Sequence, residues 1–201
     1  METPASNLNP ATDSRRKDLM QKAVDSWGTA IILERRAKRY QGWIKASSFV
    51  GFITPLVVGV SVAAFGANWA KLSSLLLLVG FVSGGQVLVS GVLIFLGLET
   101  KLKQVQDSAS INKMYAEQAD VLAKNVRLPD VFFTESYLYL LGQINAHTFH
   151  DGKLGFSPKE LRVAARAGFK RFNQKCGMCD LVPATADAKV DKSKCKNCGN
   201  I

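Results

Sequence analysis

Two long stretches of this sequence lack charged residues altogether. Ala46–Ala67 comprises 22 residues without a formal charge, and Ser73–Leu98 is a second uncharged run of similar length. At ~1.5 Å per helical residue, the first run spans roughly 33 Å, which is enough to cross a hydrocarbon core of ~30 Å. Buried helices of soluble proteins rarely extend so far without a charged face. We therefore predict a two-span transmembrane hairpin over residues 43–98 rather than a buried helical hairpin.

The same stretches also lack the acidic and basic side chains that a proton-coupled transporter or a charge-lined channel needs inside the membrane. They contain small and polar residues instead. Gly80 and Gly84 form a GxxxG pair, and Gln86 places an amide near mid-span, where it needs a partner or water. Such residues promote close helix contact, either within the hairpin or between copies. The predicted membrane oligomer or pore contact consists of Gly80, Ser83, Gly84, Gln86 and Ser90.

Two further absences narrow the function. The first forty residues are polar and contain no cleavable signal sequence, so we expect the first span to be retained as an anchor. No phosphate-binding loop, nucleophile elbow or recognisable acid–base pair is visible in the sequence. We therefore expect that the protein is not an enzyme.

Acidic residues are scarce relative to basic ones, with 16 Asp and Glu against 26 Lys and Arg, for a net charge of +10. Basic residues cluster on the outer flanks of the two runs, and the link between the runs offers only Lys71. Because Lys and Arg near span ends resist translocation, both termini are predicted to be cytoplasmic. The basic surplus suits an anionic lipid surface and nucleic acid equally well. The flanking basic residues are Arg35, Arg36, Lys38, Arg39, Lys45, Lys101 and Lys103.

The chain outside the hairpin is predicted to be mostly helical. Residues 1–12 form a disordered tail, residues 13–42 a basic cytoplasmic amphipathic helix, residues 99–174 a cytoplasmic helical region and residues 175–201 a zinc-binding module. With the hairpin over residues 43–98, this predicts an all-α membrane protein with cytoplasmic helices and a small C-terminal zinc-ribbon-like module.

A clear helix start is visible late in the helical region. Ser157, Pro158 and Glu160 provide a serine cap, a proline at the first helical position and a capping box. The helix that follows carries a basic stripe, which is either a solvated face or a contact for lipid headgroups, nucleic acid or an anionic nucleotide. The stripe consists of Lys159, Arg162, Arg166 and Lys170.

Histidine occurs only twice, at His147 and His150, where the spacing of three residues could place both rings on one helical face. As metal ligands they would need two more donors, and Asp151 is the one obvious donor nearby. Histidine near a helix C-terminus is also favoured by the helix dipole. We therefore assign the pair a structural role in preference to metal binding.

Cysteine is absent from the first 175 residues, and all four cysteines follow in two CxxC pairs. Cys176 and Cys179 form the first pair, Cys195 and Cys198 form the second, and fifteen residues separate the pairs. This spacing matches the tetrathiolate pattern in which each pair forms a tight turn and both turns surround one tetrahedral ion. The sequence therefore predicts a metal site formed by these four thiolates.

Zinc is the predicted ion, in a structural role, because four thiolates leave no open coordination position; iron fits the same ligands. Two disulfides are an alternative that a reducing cytoplasm opposes, and redox-active pairs normally need a thioredoxin-like context that is absent here. Lys175, Lys194 and Lys196 lie beside the thiols, where positive charge favours deprotonation.

The order of a basic helix, a two-span hairpin, cytoplasmic helices and a terminal pair of CxxC motifs resembles the small two-span proteins of bacterial mobile elements that are named for these motifs. The sequence-specific marks are Cys176, Cys179, Cys195 and Cys198, with fifteen residues between the pairs where that family usually has eleven. Those proteins in turn resemble SLATT-type two-span effectors of prokaryotic conflict systems, including phage defence.

This resemblance implies a bacterial inner-membrane effector that forms homo-oligomers and perturbs or perforates the lipid bilayer when a cytoplasmic sensor signals. A sensor or nucleotide-signalling partner encoded nearby would then provide the trigger. The alternative is a membrane-tethered binding module, whose zinc ribbon and basic helices hold nucleic acid or a protein partner at the inner membrane.

Overall fold

The computed structural model describes residues 10–65, 72–186 and 195–199, and these form five α-helices and no strand. The predicted all-α class is confirmed for this part of the chain. The helices are α1 (Pro10–Phe65), α2 (Leu72–Phe95), α3 (Leu98–Lys124), α4 (Asp130–Gly152) and α5 (Pro158–Arg171).

Two compact units divide the chain. The apolar unit is Arg35–Val105, which includes the second part of α1, all of α2 and the start of α3. The cysteine unit contains the described residues before and after it, up to Glu34 and from Gln106 onward.

α1 is a single helix of 56 residues. It begins at Pro10, in the first turn where proline is tolerated, and continues past Gly42 to Phe65. The sequence predicted a basic helix over residues 13–42 that leads into the first span, and this one helix contains both segments. Glycine in a helix interior costs only about 1 kcal/mol, so Gly42 alone does not interrupt the helix.

The first turn of α1 corrects the predicted disordered tail over residues 1–12. Residues 10–12 are helical, while residues 1–9 lie outside the described part of the chain. Thr12 is buried, and its hydroxyl donates to Asp130 Oδ1 at 3.3 Å. This tertiary contact with the start of α4 orders a segment whose composition alone favours disorder.

The core of the cysteine unit is built from α1, α3 and α4. Alanines on α1 and α3 let these helices approach closely, and the fully buried ring of Phe133 packs against them from α4. The buried cluster consists of Leu19, Ala23, Ala119, Ala123, Phe133, Leu140 and Ile144.

Arg16 closes one end of this core. Its side chain is only 7% exposed, and Nη1 donates to the carbonyl oxygens of Ala123 at 2.8 Å and Asn125 at 2.9 Å. The guanidinium also lies 4.4 Å from the ring centroid of Phe133. The last carbonyls of a helix have no intrahelical donors, so Arg16 supplies them at the C-terminal end of α3.

α5 crosses α1 at very short range because two glycines lie at the contact. A Cβ atom built on Gly28 would lie 2.7 Å from the carbonyl oxygen of Ala164, and one built on Gly168 would collide with the carbonyl oxygen of Val24. No larger residue fits at either position without moving a helix. This crossing places the end of α5, and the cysteine segment that follows it, against α1.

In the apolar unit, α2 runs antiparallel to the second part of α1. Ser47 and Ser90 lie opposite each other, with their hydroxyl oxygens 3.3 Å apart. Further along, a Cβ atom built on Gly51 would lie 2.5 Å from the amide nitrogen of Gln86. The link that the sequence placed between the two runs lies outside the described residues, apart from Leu72, which begins α2.

Most large apolar side chains of this unit point outward. Phe81 is 76% exposed and Phe95 is 89% exposed. Two helices of the chain are long and apolar enough to cross a membrane, and none of the residues in their apolar windows is buried within the described structure. The core helix of a soluble protein would instead have most of these side chains covered.

Candidate metal centre

The chain reaches the first cysteine pair through a well-defined end to α5. Asn173 has a positive φ of 53°, and the N–H of Gln174 donates to the carbonyl oxygen of Phe169 at 2.9 Å. The N–H of Asn173 also donates to the carbonyl oxygen of Lys170. This is a Schellman motif, which terminates the helix and satisfies its last carbonyls. It fixes the position at which Cys176 leaves the helix.

The two CxxC pairs form the same turn. In the first pair, the N–H of Asp180 donates to the carbonyl oxygen of Cys176 at 2.8 Å; in the second, the N–H of Gly199 donates to that of Cys195, also at 2.8 Å. Each turn therefore holds both of its thiols on one side of the backbone. An additional bond from the N–H of Cys176 to the carbonyl oxygen of Leu181 closes the first turn.

The four sulfur atoms face one another. All four Sγ atoms lie within 4.8 Å of each other, with Cys176 and Cys195 3.9 Å apart and Cys179 and Cys198 3.6 Å apart. A tetrahedral ion with metal–sulfur bonds of about 2.3 Å requires sulfur–sulfur separations of about 3.8 Å. A disulfide would require about 2.05 Å, and all four described cysteines are free. The arrangement is thus positioned to hold one metal ion.

The surroundings favour the thiolate form at Cys195 and disfavour it at Cys179. Hydrogen bonds from the backbone N–H groups of Cys198 and Asn197 and from neighbouring thiols outweigh burial and lower the pKa of the Cys195 thiol to about 6. At Cys179 the backbone of Leu181 and the Cys198 thiol lower the pKa, but burial and the thiols of Cys195 and Cys176 raise it overall. The amide of Asn197 also donates to Cys176 Sγ at 3.5 Å. Hydrogen bonds to sulfur stabilise thiolates, which are the form that binds a metal.

Lysine contributes less to these thiols than the sequence predicted. Lys175 is exposed, and its ammonium pairs with Asp180 at 3.2 Å. Lys196 is exposed, and Lys194 lies outside the described residues. Backbone and amide N–H groups, rather than lysine side chains, therefore supply the donors that the structure places at the sulfurs.

The cysteines belong to a buried cluster of the cysteine unit. Cys176, Cys195 and Cys198 are buried and pack with Val24 of α1 and Phe169 of α5. The metal centre is thus built on the crossing of α1 and α5 rather than on an independent appendage.

Arg166 ties this centre to α5. It is 5% exposed, and its Nε donates to the carbonyl oxygen of Thr185 at 2.7 Å while Nη1 donates to that of Gly199 at 3.3 Å. One guanidinium therefore holds both the segment after the first turn and the end of the second turn. The sequence placed Arg166 on an exposed basic stripe, which the structure corrects.

The rest of that stripe remains accessible. Lys159 and Lys170 are exposed, and Arg162 is half-buried. Their contact with an anionic partner or lipid stays a prediction. With Arg166 turned inward, the accessible stripe is narrower than predicted.

The five residues predicted as a membrane contact occupy two different faces of α2. Ser83, Gln86 and Ser90 are partly covered and lie toward α1, where Gln86 Nε2 donates to the carbonyl oxygen of Ser47 at 2.7 Å. We call this side the polar seam.

Gly80 and Gly84 lie on a different face of α2, rotated by roughly 90–130° from the centre of the polar seam, because successive helical residues are separated by about 100°. They line an open groove with Leu77, Phe81 and Leu88, and a Cβ atom on either glycine would meet nothing within 4 Å among the described residues. The predicted site is therefore divided between the polar seam and this glycine groove.

His147 and His150 belong to a polar cluster between α3 and α4. Asp151 is buried and accepts hydrogen bonds from Ser108 and from Asn112. His147 Nε2 lies 3.1 Å from the Ser108 hydroxyl and 3.6 Å from Asp151 Oδ2. In a catalytic triad, serine and aspartate contact opposite nitrogens of the histidine ring. Here both contact Nε2 of His147, so the three residues do not form a triad. Sequence reasoning missed Ser108 and Asn112, which carry no recognisable motif.

A family model described as "Mobilome CxxCx(11)CxxC protein" matches residues 16–201. The match includes both apolar helices as well as the four cysteines. No curated protein and no solved structure matches the chain.

Proposed function

Since the chain belongs to the mobilome CxxCx(11)CxxC protein family, we propose that it is an oligomerising two-span membrane effector of a bacterial mobile element. The relation to mobile-element proteins with paired CxxC motifs is thereby confirmed, whereas the relation to SLATT-type effectors stays a prediction. In this proposal the apolar unit crosses the inner membrane and both termini are cytoplasmic. The cysteine unit receives the signal and holds structural zinc.

The glycine groove of α2 is the observation that carries this proposal. Within a membrane, helices associate through close packing of small residues and through polar contacts, because lipid supplies no hydrophobic drive. α1 covers the polar seam but leaves Gly80 and Gly84 open. The hairpin is thus already closed on one face and offers a second face for another copy.

The polar seam contains the buried polar groups that a path for ions across the bilayer requires. Ser47, Ser90 and Gln86 form hydrogen bonds between α1 and α2, and Gln86 Oε1 is buried without a partner in the described residues. A buried amide oxygen without a donor is costly in lipid. Separation of α1 from α2 in an activated oligomer would expose this seam to water and create a polar path across the bilayer.

Zinc fits the four-thiolate set because all four ligands are sulfur and no coordination position remains for substrate. Bound zinc would hold the two cysteine turns together. The thiolates, the Arg166 bonds and the packing on Val24 and Phe169 then fix the end of the chain to the α1–α5 crossing. The ion is therefore assigned a structural role and no catalytic one.

Membrane depolarisation with paired glycine variants tests the effector proposal. Induced expression of the wild type, together with its neighbouring genes, should collapse a membrane-potential dye signal. Gly84→Leu fills the groove and should weaken both cross-linking between copies and depolarisation. Gly59→Leu is the matched control, because Gly59 is an equally open glycine on α1 outside the groove. A monomeric, harmless wild type would contradict the proposal.

A membrane-tethered binding module is the second candidate, favoured by the exposed cations Lys159 and Lys170 on α5. Its partner would be nucleic acid or a protein. Purified protein in detergent should then bind DNA or RNA with a steep salt dependence, since released counterions dominate such binding. Lys159→Glu combined with Lys170→Glu should abolish it without affecting the metal.

A further inference from the structure

A cavity of about 380 Å³ opens in the cysteine unit, where the first turns of α1 meet the ends of α3 and α5. Arg16, Lys17 and Gln21 line it from α1, while Phe169 and Lys175 line it from α5 and the segment that follows. Cavities of roughly 300–1,000 Å³ with an apolar wall and a few polar groups are typical of small-molecule sites. The metal ligands themselves do not line this cavity.

Arg16 lines this cavity, and part of its guanidinium forms no hydrogen bond among the described residues. Its Nη1 is occupied by the carbonyl oxygens at the end of α3, but Nε and Nη2 are buried and have no hydrogen-bond partner among the described residues. Nε and Nη2 form the edge of the guanidinium that binds two oxygens of a carboxylate or phosphate at once. Leaving charged donors unpaired in a buried position is unfavourable, so an oxyanion there would satisfy them.

The charges around the cavity also favour an anion. Lys17 pairs with Asp13 at 2.7 Å, and Lys175 pairs with Asp180 at 3.2 Å. Both pairs are exposed, and exposed ion pairs contribute little stability, so either ammonium can turn toward a bound anion at small cost. Arg16 has no carboxylate of its own in the described structure, which leaves the site with an excess of positive charge.

We infer that this cavity binds a small organic molecule carrying a phosphate group. A carboxylate has two oxygens, and both would accept hydrogen bonds from Nε and Nη2 of Arg16, which leaves none for another cation. A phosphate has a third oxygen that can also reach Lys17 or Lys175. The remaining volume is bounded by apolar atoms of Met20, Val24 and Phe169, which suit the uncharged part of such a molecule. This inference does not depend on the proposed effector activity.

A ligand bound in this cavity would also stabilise the metal centre. Val24 and Phe169 line the cavity and pack against Cys176, Cys195 and Cys198. A ligand that fills the cavity therefore supports the side chains on which the cysteines rest. We expect bound ligand to slow the removal of metal by a chelator.

Calorimetry on the full-length protein in mild detergent tests the inference with AMP and inorganic phosphate as probes. AMP should bind more tightly than phosphate and should slow metal release. Arg16→Lys keeps the charge but loses the two-donor edge, and should weaken AMP binding about tenfold or more. Because Arg16 also supports α3, Lys175→Glu provides a second variant that leaves this support intact and should weaken AMP binding as well. Lys153→Glu, an equal charge change on an exposed lysine outside both the cavity and the basic stripe, should have no effect.

Three results would overturn the inference. The first is an absence of AMP and phosphate binding to the wild type at millimolar concentrations. The second is binding that neither Arg16→Lys nor Lys175→Glu weakens. The third is binding restricted to vesicles containing phosphatidylglycerol, which would assign the cations to a lipid surface instead of a small molecule.

Discussion

Asp180 and Gly199 occupy equivalent positions in the two cysteine turns. Each follows the second cysteine of its pair, each donates its N–H to the carbonyl oxygen of the first cysteine at 2.8 Å, and their φ angles are 55° and 62°. The residues inside the turns differ completely, being Gly-Met in one and Lys-Asn in the other. The shared geometry therefore follows from the backbone closure and from the cysteine spacing.

Because φ is positive at both positions, adding a Cβ atom at Gly199 and removing one at Asp180 should affect the metal centre differently. Gly199→Ala should destabilise the metal centre by about 1 kcal/mol, because residues with a Cβ rarely adopt this conformation. Asp180→Gly should be close to neutral, since it relieves the same conformation and loses only an exposed ion pair with Lys175. The rate of metal transfer to a chromogenic chelator measures both effects.

Gly177→Ala is the matched control for Gly199→Ala, because a Cβ atom at Gly177 meets nothing within 4 Å in the described structure and its φ is not in the positive region. It should release metal at the wild-type rate. Equal release rates for the two alanine variants would show that the turn geometry is not what limits the site.

Metal content is expected to be about one zinc ion per chain, because four thiolates complete one tetrahedral site. Cys176→Ser should lose the ion and expose the segment after α5 to protease, while the helices of the apolar unit remain folded. Elemental analysis with limited proteolysis measures this. A metal-free protein that contains two disulfides would refute the assignment.

Arg166→Gln should loosen the metal centre by about 2 kcal/mol, since it removes charge-assisted bonds to the carbonyl oxygens of Thr185 and Gly199 in a buried setting. The variant should show faster metal release and a lower midpoint of denaturant unfolding. Lys170→Gln is the control, because Lys170 is an exposed cation on the same helix. If both variants behave like the wild type, Arg166 does not hold the centre.

Topology can be tested by cysteine labelling from outside the cell. With both termini cytoplasmic, a membrane-impermeant maleimide should label Asn68→Cys in intact cells and should leave Ser6→Cys and Asn200→Cys unlabelled until the cells are permeabilised. The experiment uses a background in which the four native cysteines remain, since the metal protects them. Labelling of either terminal probe in intact cells would reverse the predicted orientation.

Local features of the fold were predictable from the sequence. Ser157, Pro158 and Glu160 form the predicted capping box at the start of α5, with both reciprocal bonds present. The cysteine cluster was equally predictable, because each CxxC turn depends on a few adjacent residues. These features need no information about distant parts of the chain.

The partners of isolated polar residues were not predictable. Arg16 belongs to the predicted basic helix over residues 13–42, and Arg166 to the predicted basic stripe of α5. Both are nevertheless buried and donate to carbonyl oxygens of other segments. Gln86 likewise bonds to the backbone of Ser47, which has no sequence signature. A side chain's partner across the fold depends on tertiary packing, which the periodicity of one helix does not encode.

The separation of the two cysteine turns in this chain has an evolutionary consequence. Fifteen residues join the pairs here, while the family description specifies eleven. The entropy of closing a flexible loop grows only with the logarithm of its length, so four extra residues cost about 0.3 kcal/mol. Each turn is closed by its own backbone bond, and Arg166 holds Thr185, so only the part of the connecting segment after Thr185 is under little length selection. Insertions should therefore accumulate there among related proteins while the ligand set stays unchanged.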